Sequence, residues 1–158
     1  SAANTLTPCR CGVKTAMRRL LRASIWISCL FAAQNLVAGD LTAFCREHRL
    51  DCPELSAAVD SIRSTGRLPA KFITKQEAKE LGWRPGTNLA KVAPGKSIGG
   101  DRFGNFEKRL PAKTGRQWYE ADLGFKKGKR GAKRLLYSSD KLIFITTDHY
   151  QTFTEVPR

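Results

Sequence analysis

Residues Arg116–Phe125 read RQWYEADLGF, and their alternation decides the class of fold. In an extended chain, successive side chains point to opposite faces. Trp118, Glu120 and Asp122 therefore share one face, and Tyr119, Ala121 and Leu123 the other. The second face is apolar enough to rest on a core, whereas the first carries two carboxylates. C-terminal to this stretch, Arg134–Ser138, Lys141–Thr146 and Tyr150–Glu155 read as further strands, with turns at 138–141 and 147–149. N-terminal to it the pattern is helical. A first helix is expected over 41–49 and a second over 53–65, where Leu55, Ala58, Val59 and Ile62 recur at helical spacing and Gly66 stops the run. Thr74-Lys75-Gln76-Glu77 is a capping box that opens a third helix, ending at Gly82. Residues 85–100 are turn-rich, with a brief helical stretch at 88–91. Helices followed by strands define an α+β fold, with N-terminal helices packed on one face of an antiparallel β-sheet.

The 158 residues suit one domain with a short appendage. With 41% apolar residues the chain can build a core, which excludes a disordered, collagen-like or coiled-coil protein. Lys and Arg number 28 against 14 Asp and Glu, a net charge of +14. Residues 1–39 hold five of the basic groups and no acid, so residues 40–158 are still +9. Such an excess points to a polyanionic partner, either nucleic acid or an anionic membrane surface. A solvated basic surface is the plainer alternative. The densest run is Lys126–Arg134, with six basic residues in nine.

The N-terminal segment has the layout of a secretory signal peptide. Met17 is followed by Arg18, Arg19 and Arg22, then by the eleven-residue run ASIWISCLFAA (Ala23–Ala33) and by small residues at Val37-Ala38-Gly39. The run is short of the roughly 20 apolar residues a bilayer span needs. Residues 1–16 are then expected to be upstream translation, 17–39 the signal peptide and 40–66 a helical region of a secreted protein. A buried first helix is the competing reading of 23–33. Of the five cysteines, Cys9, Cys11 and Cys29 fall before Asp40, leaving Cys45 and Cys52 as an even pair in an oxidising compartment. On one continuous helix the pair would lie about 10 Å apart, too far for a disulfide. Asp51, Pro53 and Glu54 read as a new helix start, so a bend permits the bond, and a Cys45–Cys52 disulfide is expected. The two histidines, His48 and His149, lack metal-ligand spacing, so no metal site and no cofactor is expected.

Four residues invite chemistry. Lys75 is the first residue of the third helix, where the positive end of the helix dipole makes a second cation unfavourable unless an anion binds there. A solvated lysine is the alternative. Glu120 and Asp122 either pair with arginines or include a general base kept ionised by cations. His149 lies in a turn beside Tyr150, as surface filler or as an acid facing a carboxylate. RNA brings its own nucleophile, the 2′-hydroxyl; cleavage needs a base, an acid and cations around the phosphorane. A glutamate, a histidine and a few Arg and Lys suffice.

From Arg67 onward the sequence resembles the barnase-like family, the secreted microbial guanyl-preferring ribonucleases. The matching segments include Leu68-Pro69, Ile73-Thr74-Lys75, Leu81-Gly82-Trp83, Asn88-Leu89-Ala90 and VAPGKSIGGD (Val92–Asp101). Further on come Leu110-Pro111, Gly115-Arg116, Glu120-Ala121-Asp122, LYSSD (Leu136–Asp140) and TTDHYQTF (Thr146–Phe153), in conserved order and spacing. The resemblance implies a catalytic domain over 67–158, with Glu120 as general base and His149 as general acid. It places Lys75, Arg130 and Arg134 on the cations that bind the scissile phosphate. Asn105, Phe106 and Glu107 fall in the loop that binds guanine through backbone amides and a carboxylate, and Tyr150 on the base-stacking side. Asp122 falls on a buried carboxylate that braces the loop arginines, and Asp101 and 97–100 on scaffold beneath the site. The implied activity is metal-independent endonucleolytic cleavage of single-stranded RNA 3′ to purines, guanine first, through a 2′,3′-cyclic phosphate.

The loop between Trp83 and Asn88 is one residue shorter than in the family, and three positions depart from its pattern, one of them in the base loop. Phe106 stands where the family pattern has arginine, Lys133 where it has an acid and Lys141 where it has tryptophan. The first of these is expected to weaken guanine preference and the fit of an acidic, barstar-like inhibitor. Expected partners are single-stranded RNA and such an inhibitor, with a monomeric chain and no stable membrane association. The rival uses are the same enzyme deployed as an antibacterial toxin with an immunity protein, a non-catalytic RNA-binding relative, and a membrane-active cationic protein. Against the last, no amphipathic basic helix lies beyond residue 39.

Overall fold

The computed structural model describes residues 40–158. The expectations for 1–16 and 17–39 lie outside the described residues. Helix α1 covers 40–47 and helix α2 Cys52–Thr65. Asp51 caps α2 by accepting from the Glu54 amide, with proline in the first turn, and Gly66 closes it in the left-handed region at φ 77°. A glycine is at ease there because it has no Cβ to clash. Between the helices, Arg49 turns the chain at φ 52°. That bend brings the Cα atoms of Cys45 and Cys52 to 5.4 Å, and the disulfide is formed.

The sheet has six strands in the order β1 to β6: Phe72–Ile73, Ser97–Phe103, Trp118–Asp122, Arg134–Ser138, Ile143–Thr146 and Thr154–Glu155. All neighbours are antiparallel except β1 and β2, which run parallel. Helix α3 covers Lys75–Glu80, and a single 3₁₀ turn covers Leu89–Lys91.

Two expectations are corrected. The sequence pattern does not predict strands β1 and β2, because SIGGDRF has no clean alternation and begins within the turn-rich stretch. A Cβ at Gly99 would meet the side chains of Ala121 and Phe72 at 2.8 Å, so those side chains pack over β2 at a position only glycine leaves open. The last strand is Thr154–Glu155 and not Tyr150–Glu155; His149 and Tyr150 lie at φ 59° and 73°, which no strand accommodates.

The core forms on the face read as apolar. Leu55, Ala58, Val59 and Ile62 of α2 are fully buried against Ala121, Leu123, Leu135, Tyr137, Ile143 and Ile145. Each large side chain buried there contributes about 1.5–3 kcal/mol. A second cluster joins Ala78 of α3 to Trp83, Leu89 and Ile98. A third lies on the opposite face, where Leu110, Trp118 and Leu136 support Phe103, Phe144, Tyr150 and Phe153. This third cluster is the apolar floor from which the loops around the site rise.

Candidate active site

The register of β3, β4 and β5 sets Asp122, Arg134 and Thr146 in one row across the sheet, with Glu120, Leu136 and Phe144 in the next. Asp122 is 1% exposed and Arg134 4%. The Asp122 carboxylate accepts two bonds from Arg130, at 2.5 and 2.6 Å, and lies 3.0 Å from Arg134 Nε. Arg134 also donates to the carbonyls of Gly131 and Lys133. One buried carboxylate thus fixes two guanidinium groups, and a bidentate pair is the geometry that orients a guanidinium best. The Asp122 bonds raise the affinity of Arg130 for its proton.

Glu120 is the other carboxylate on that face. Lys75 Nζ donates to its Oε1 at 2.6 Å, and the Tyr150 hydroxyl donates to its Oε2 at 2.5 Å. The same hydroxyl accepts from Arg134 Nε at 3.2 Å. Burial pushes the Glu120 carboxyl up, but the bonds from Lys75 and Tyr150 and the charges of Lys75 and Arg130 outweigh it. The group is therefore held below the ordinary carboxylate range and stays ionised. Burial and the Glu120 carboxylate push Tyr150 up to about 12, so it keeps its proton.

Lys75 reaches Glu120 because its helix starts in the right place. Thr74 and Glu77 form the full reciprocal capping box, and Asp101 accepts from the Lys75 amide at 3.0 and 3.3 Å. A carboxylate at a helix N-terminus is favourable, and here it ties α3 to β2.

His149 is exposed, its ring 5.0 Å from that of Tyr150, and among the described residues no hydrogen bond or ion pair engages its imidazole. The loop that carries it is held from within. Asp148 accepts from the amides of Gln151 and Thr152 and from the hydroxyls of Thr146 and Thr152. Those bonds, the Thr152 hydroxyl first, hold the Asp148 carboxyl far below its ordinary value. Asp148 lies within TTDHYQTF, where its signal in the sequence is an aspartate flanked by threonines, residue types that bond nearby backbone in turns.

Glu120, His149 and Tyr150 line one cleft of about 600 Å³ with Phe103, Asn105, Phe106, Glu107 and Arg109. Asn105, at φ 45°, clamps its loop by bonding the amide and the carbonyl of Leu110, each at 3.0 Å. Phe106 is 93% exposed. Glu107 pairs with Arg109 at 2.6 Å, and Arg109 also donates to the carbonyls of Gln151 and Tyr150. Arg109 carries no local signal for its second contact: its partners in the His149 loop lie 41 and 42 residues away in the chain. All nine residues singled out as catalytic, phosphate-binding or base-binding lie in this cleft or are bonded to a residue that lines it or to Asp122. Among the described residues, no group of three or more His, Cys, Asp or Glu is placed to hold a metal, and no helix is long and apolar enough to cross a membrane.

An α+β sheet bearing a buried carboxylate–arginine cluster beside a cleft that holds a glutamate and a histidine is a nuclease-like arrangement. The ribonuclease family model matches residues 56–157. The ribonucleases of Bacillus intermedius and Bacillus pumilus are each 59% identical over 91 residues, covering 57% of this chain and 56% of theirs. That of Heyndrickxia coagulans is 58% identical over 91 residues, 57% of this chain and 84% of its own. The chain spans little more than half the length of the two Bacillus relatives. It belongs to the ribonuclease family, as one of its barnase-like microbial members.

Proposed function

We propose that this chain is an endoribonuclease that cleaves single-stranded RNA 3′ to purines, with guanine preferred. The observation that supports it best is the state of Glu120: an ionised carboxylate held by Lys75 and Tyr150, in the same cleft as an unengaged His149 imidazole.

In the first step the Glu120 carboxylate takes the 2′-hydroxyl proton as the 2′-oxygen attacks phosphorus. The P–O5′ bond breaks, and protonated His149 gives its proton to the departing O5′. The charge that builds on the phosphoryl oxygens is met by Lys75, Arg130 and Arg134, which Asp122 and Asp101 keep in place. In the second step water attacks the 2′,3′-cyclic phosphate. His149 accepts the water proton, the P–O2′ bond breaks, and Glu120 returns its proton to O2′. Three fixed cations do what a metal ion would otherwise do, so the reaction is expected to survive a chelator.

Base preference falls to the 104–107 loop. Guanine presents N1–H and N2–H donors, which one carboxylate can accept together, and Glu107 is 71% exposed at its side chain and faces the cleft. Arg109 holds one of its oxygens. Phe106 adds an aromatic surface in place of a cation, so guanine preference is retained in weakened form, and affinity for an acidic inhibitor is reduced.

The Cys45–Cys52 bond supports export, since disulfides persist in oxidising compartments. Residues 17–39 are the proposed signal, 40–66 a helical brace and 67–158 the catalytic region. The test uses the full chain and a defined RNA oligonucleotide with a chelator present. Cyclic-phosphate termini 3′ to guanine are the expected product; no cleavage, or cleavage of DNA, would overturn the reading.

A further inference from the structure

The base loop has a second side. Behind it lies another cleft of about 570 Å³, which shares Arg102, Phe103, Gly104, Asn105 and Phe106 with the first but touches neither Glu120 nor His149. Its remaining wall holds Lys108, Lys113, Arg116 and Trp118, and no carboxylate lines it. Arg116 is already occupied by Asp140, at 2.7–3.1 Å. Arg102 donates to Gln117, a neutral partner, and no carboxylate pairs with Lys108 or Lys113 among the described residues. Three unneutralised cations around an apolar floor suit a phosphate carrying an aromatic base.

Phe106 is the partition between the two clefts. Its ring lies over Gly104 so closely that a Cβ at 104 would meet Cε2 at 2.2 Å. The ring is nonetheless 93% exposed, a large apolar surface that costs free energy in water unless something covers it.

We infer that this second cleft is a subsite for the nucleotide on the 5′ side of the recognised guanosine, stacked on Phe106 with its phosphate held by Arg102, Lys108 and Lys113. The inference rests on the proposed function. If the guanosine 3′-phosphate lies at Glu120 and His149, the 3′ product leaves on that side of the loop. The 5′ neighbour is then the unit directed to the side those residues do not reach.

The test compares kcat/KM for GpA, its 5′-extended form UpGpA and its 3′-extended form GpApU. The wild type is run beside the Lys108→Gln/Lys113→Gln double variant, which leaves the acid–base groups and the base loop's Glu107 in place. The wild type is expected to gain about tenfold from the 5′ extension, the worth of one stacked base. The double variant is expected to cleave GpA at the wild-type rate and to lose most of that gain. No gain from UpGpA, or an equal gain in the double variant, overturns the subsite. Equilibrium binding of the 2′-deoxy versions gives a readout independent of cleavage. Tighter wild-type binding of the 5′-extended deoxy oligonucleotide, lost in the double variant, supports the subsite even if GpA is not cut, an outcome that would overturn only the enzymatic reading.

Discussion

At the sheet end of the cleft every charge is answered. Asp122 faces Arg130 and Arg134, Glu120 faces Lys75 and Tyr150, and Asp101 faces the first amide of α3. At the loop end, Phe106 stands in solvent, and among the described residues Glu107 is held only by Arg109 and Lys108 faces no acid. The first region is built on three strands, where neighbouring side chains are fixed by register. The second hangs from β2 by the Asn105–Leu110 clamp. A reaction that must place a proton to within a fraction of an ångström needs the first kind of support. Base recognition through an exposed loop tolerates substitution, and Phe106 there is one of the positions at which the chain departs from its family.

If that contrast holds, the largest losses of activity come from the acid–base pair, Glu120 at the sheet end and His149 on the loop that Asp148 braces. Glu120→Gln and His149→Gln are each expected to lower kcat/KM on the order of 10²–10⁴-fold, measured on a guanine-containing dinucleotide. His149→Gln should leave the melting temperature nearly unchanged, because the side chain is exposed and bonds to nothing in the protein. Near-wild-type cleavage by either variant would remove that residue from the mechanism.

Asp122→Ala comes next and acts on folding. It leaves Arg134 buried and Arg130 half-buried without their carboxylate, an uncompensated arrangement worth about 3–5 kcal/mol. Chemical denaturation measures it. A loss below 1 kcal/mol would mean that the two arginines find other partners.

Lys75→Met tests how Glu120 is kept charged. With the lysine gone, burial acts on Glu120 against fewer opposing contacts, so its pKa rises. The base works only when ionised, so the acid limb of the kcat/KM profile should move to higher pH, and activity at neutral pH should fall about tenfold or more. The linked effect on stability has a definite sign. A carboxyl whose folded pKa lies below its unfolded one stabilises the fold above the ordinary carboxylate pKa and loses that contribution as pH falls through the folded value. Lys75→Met should flatten that part of the stability profile; an acid limb that moves to lower pH would contradict the assignment.

The smallest effect is expected at the loop end. Phe106→Arg should change kcat by less than about threefold, since residue 106 lies outside the acid–base pair, a small fraction of the effect of a proton-transfer group. Comparing GpA, ApA and UpA before and after the substitution reads the base preference directly. Equal wild-type rates on all three would show that the loop does not select guanine. The substitution should also tighten an acidic inhibitor, measurable by titration.

Much of this was legible in the chain. Helix α2 was found because Leu55, Ala58, Val59 and Ile62 repeat with helical period and Asp51 and Gly66 punctuate the ends. The start of α3 was found because Thr74 and Glu77 carry their signal within four residues. Glu120 and Asp122 were placed on one face by the period of a single strand. Strands β1 and β2 were not legible. Gly99 leaves room there for the side chains of Ala121 and Phe72, and a glycine in a loop-like sequence announces no such neighbours.

The sequence by itself determined the fold class, the caps, the face on which the carboxylates lie and the cysteine pair, because each is set by local geometry or by residues close along the chain. Only the tertiary structure decided that Lys75 serves Glu120, across 45 residues, and gave the bracing of Arg130 and Arg134 by Asp122 its geometry. It alone gave Arg109 its bridge to the His149 loop and set Phe106 between two clefts. The physical reason is that a side chain's charge state and partner depend on what lies within a few ångströms of it, and distance in space is fixed by strand register and not by position along the chain.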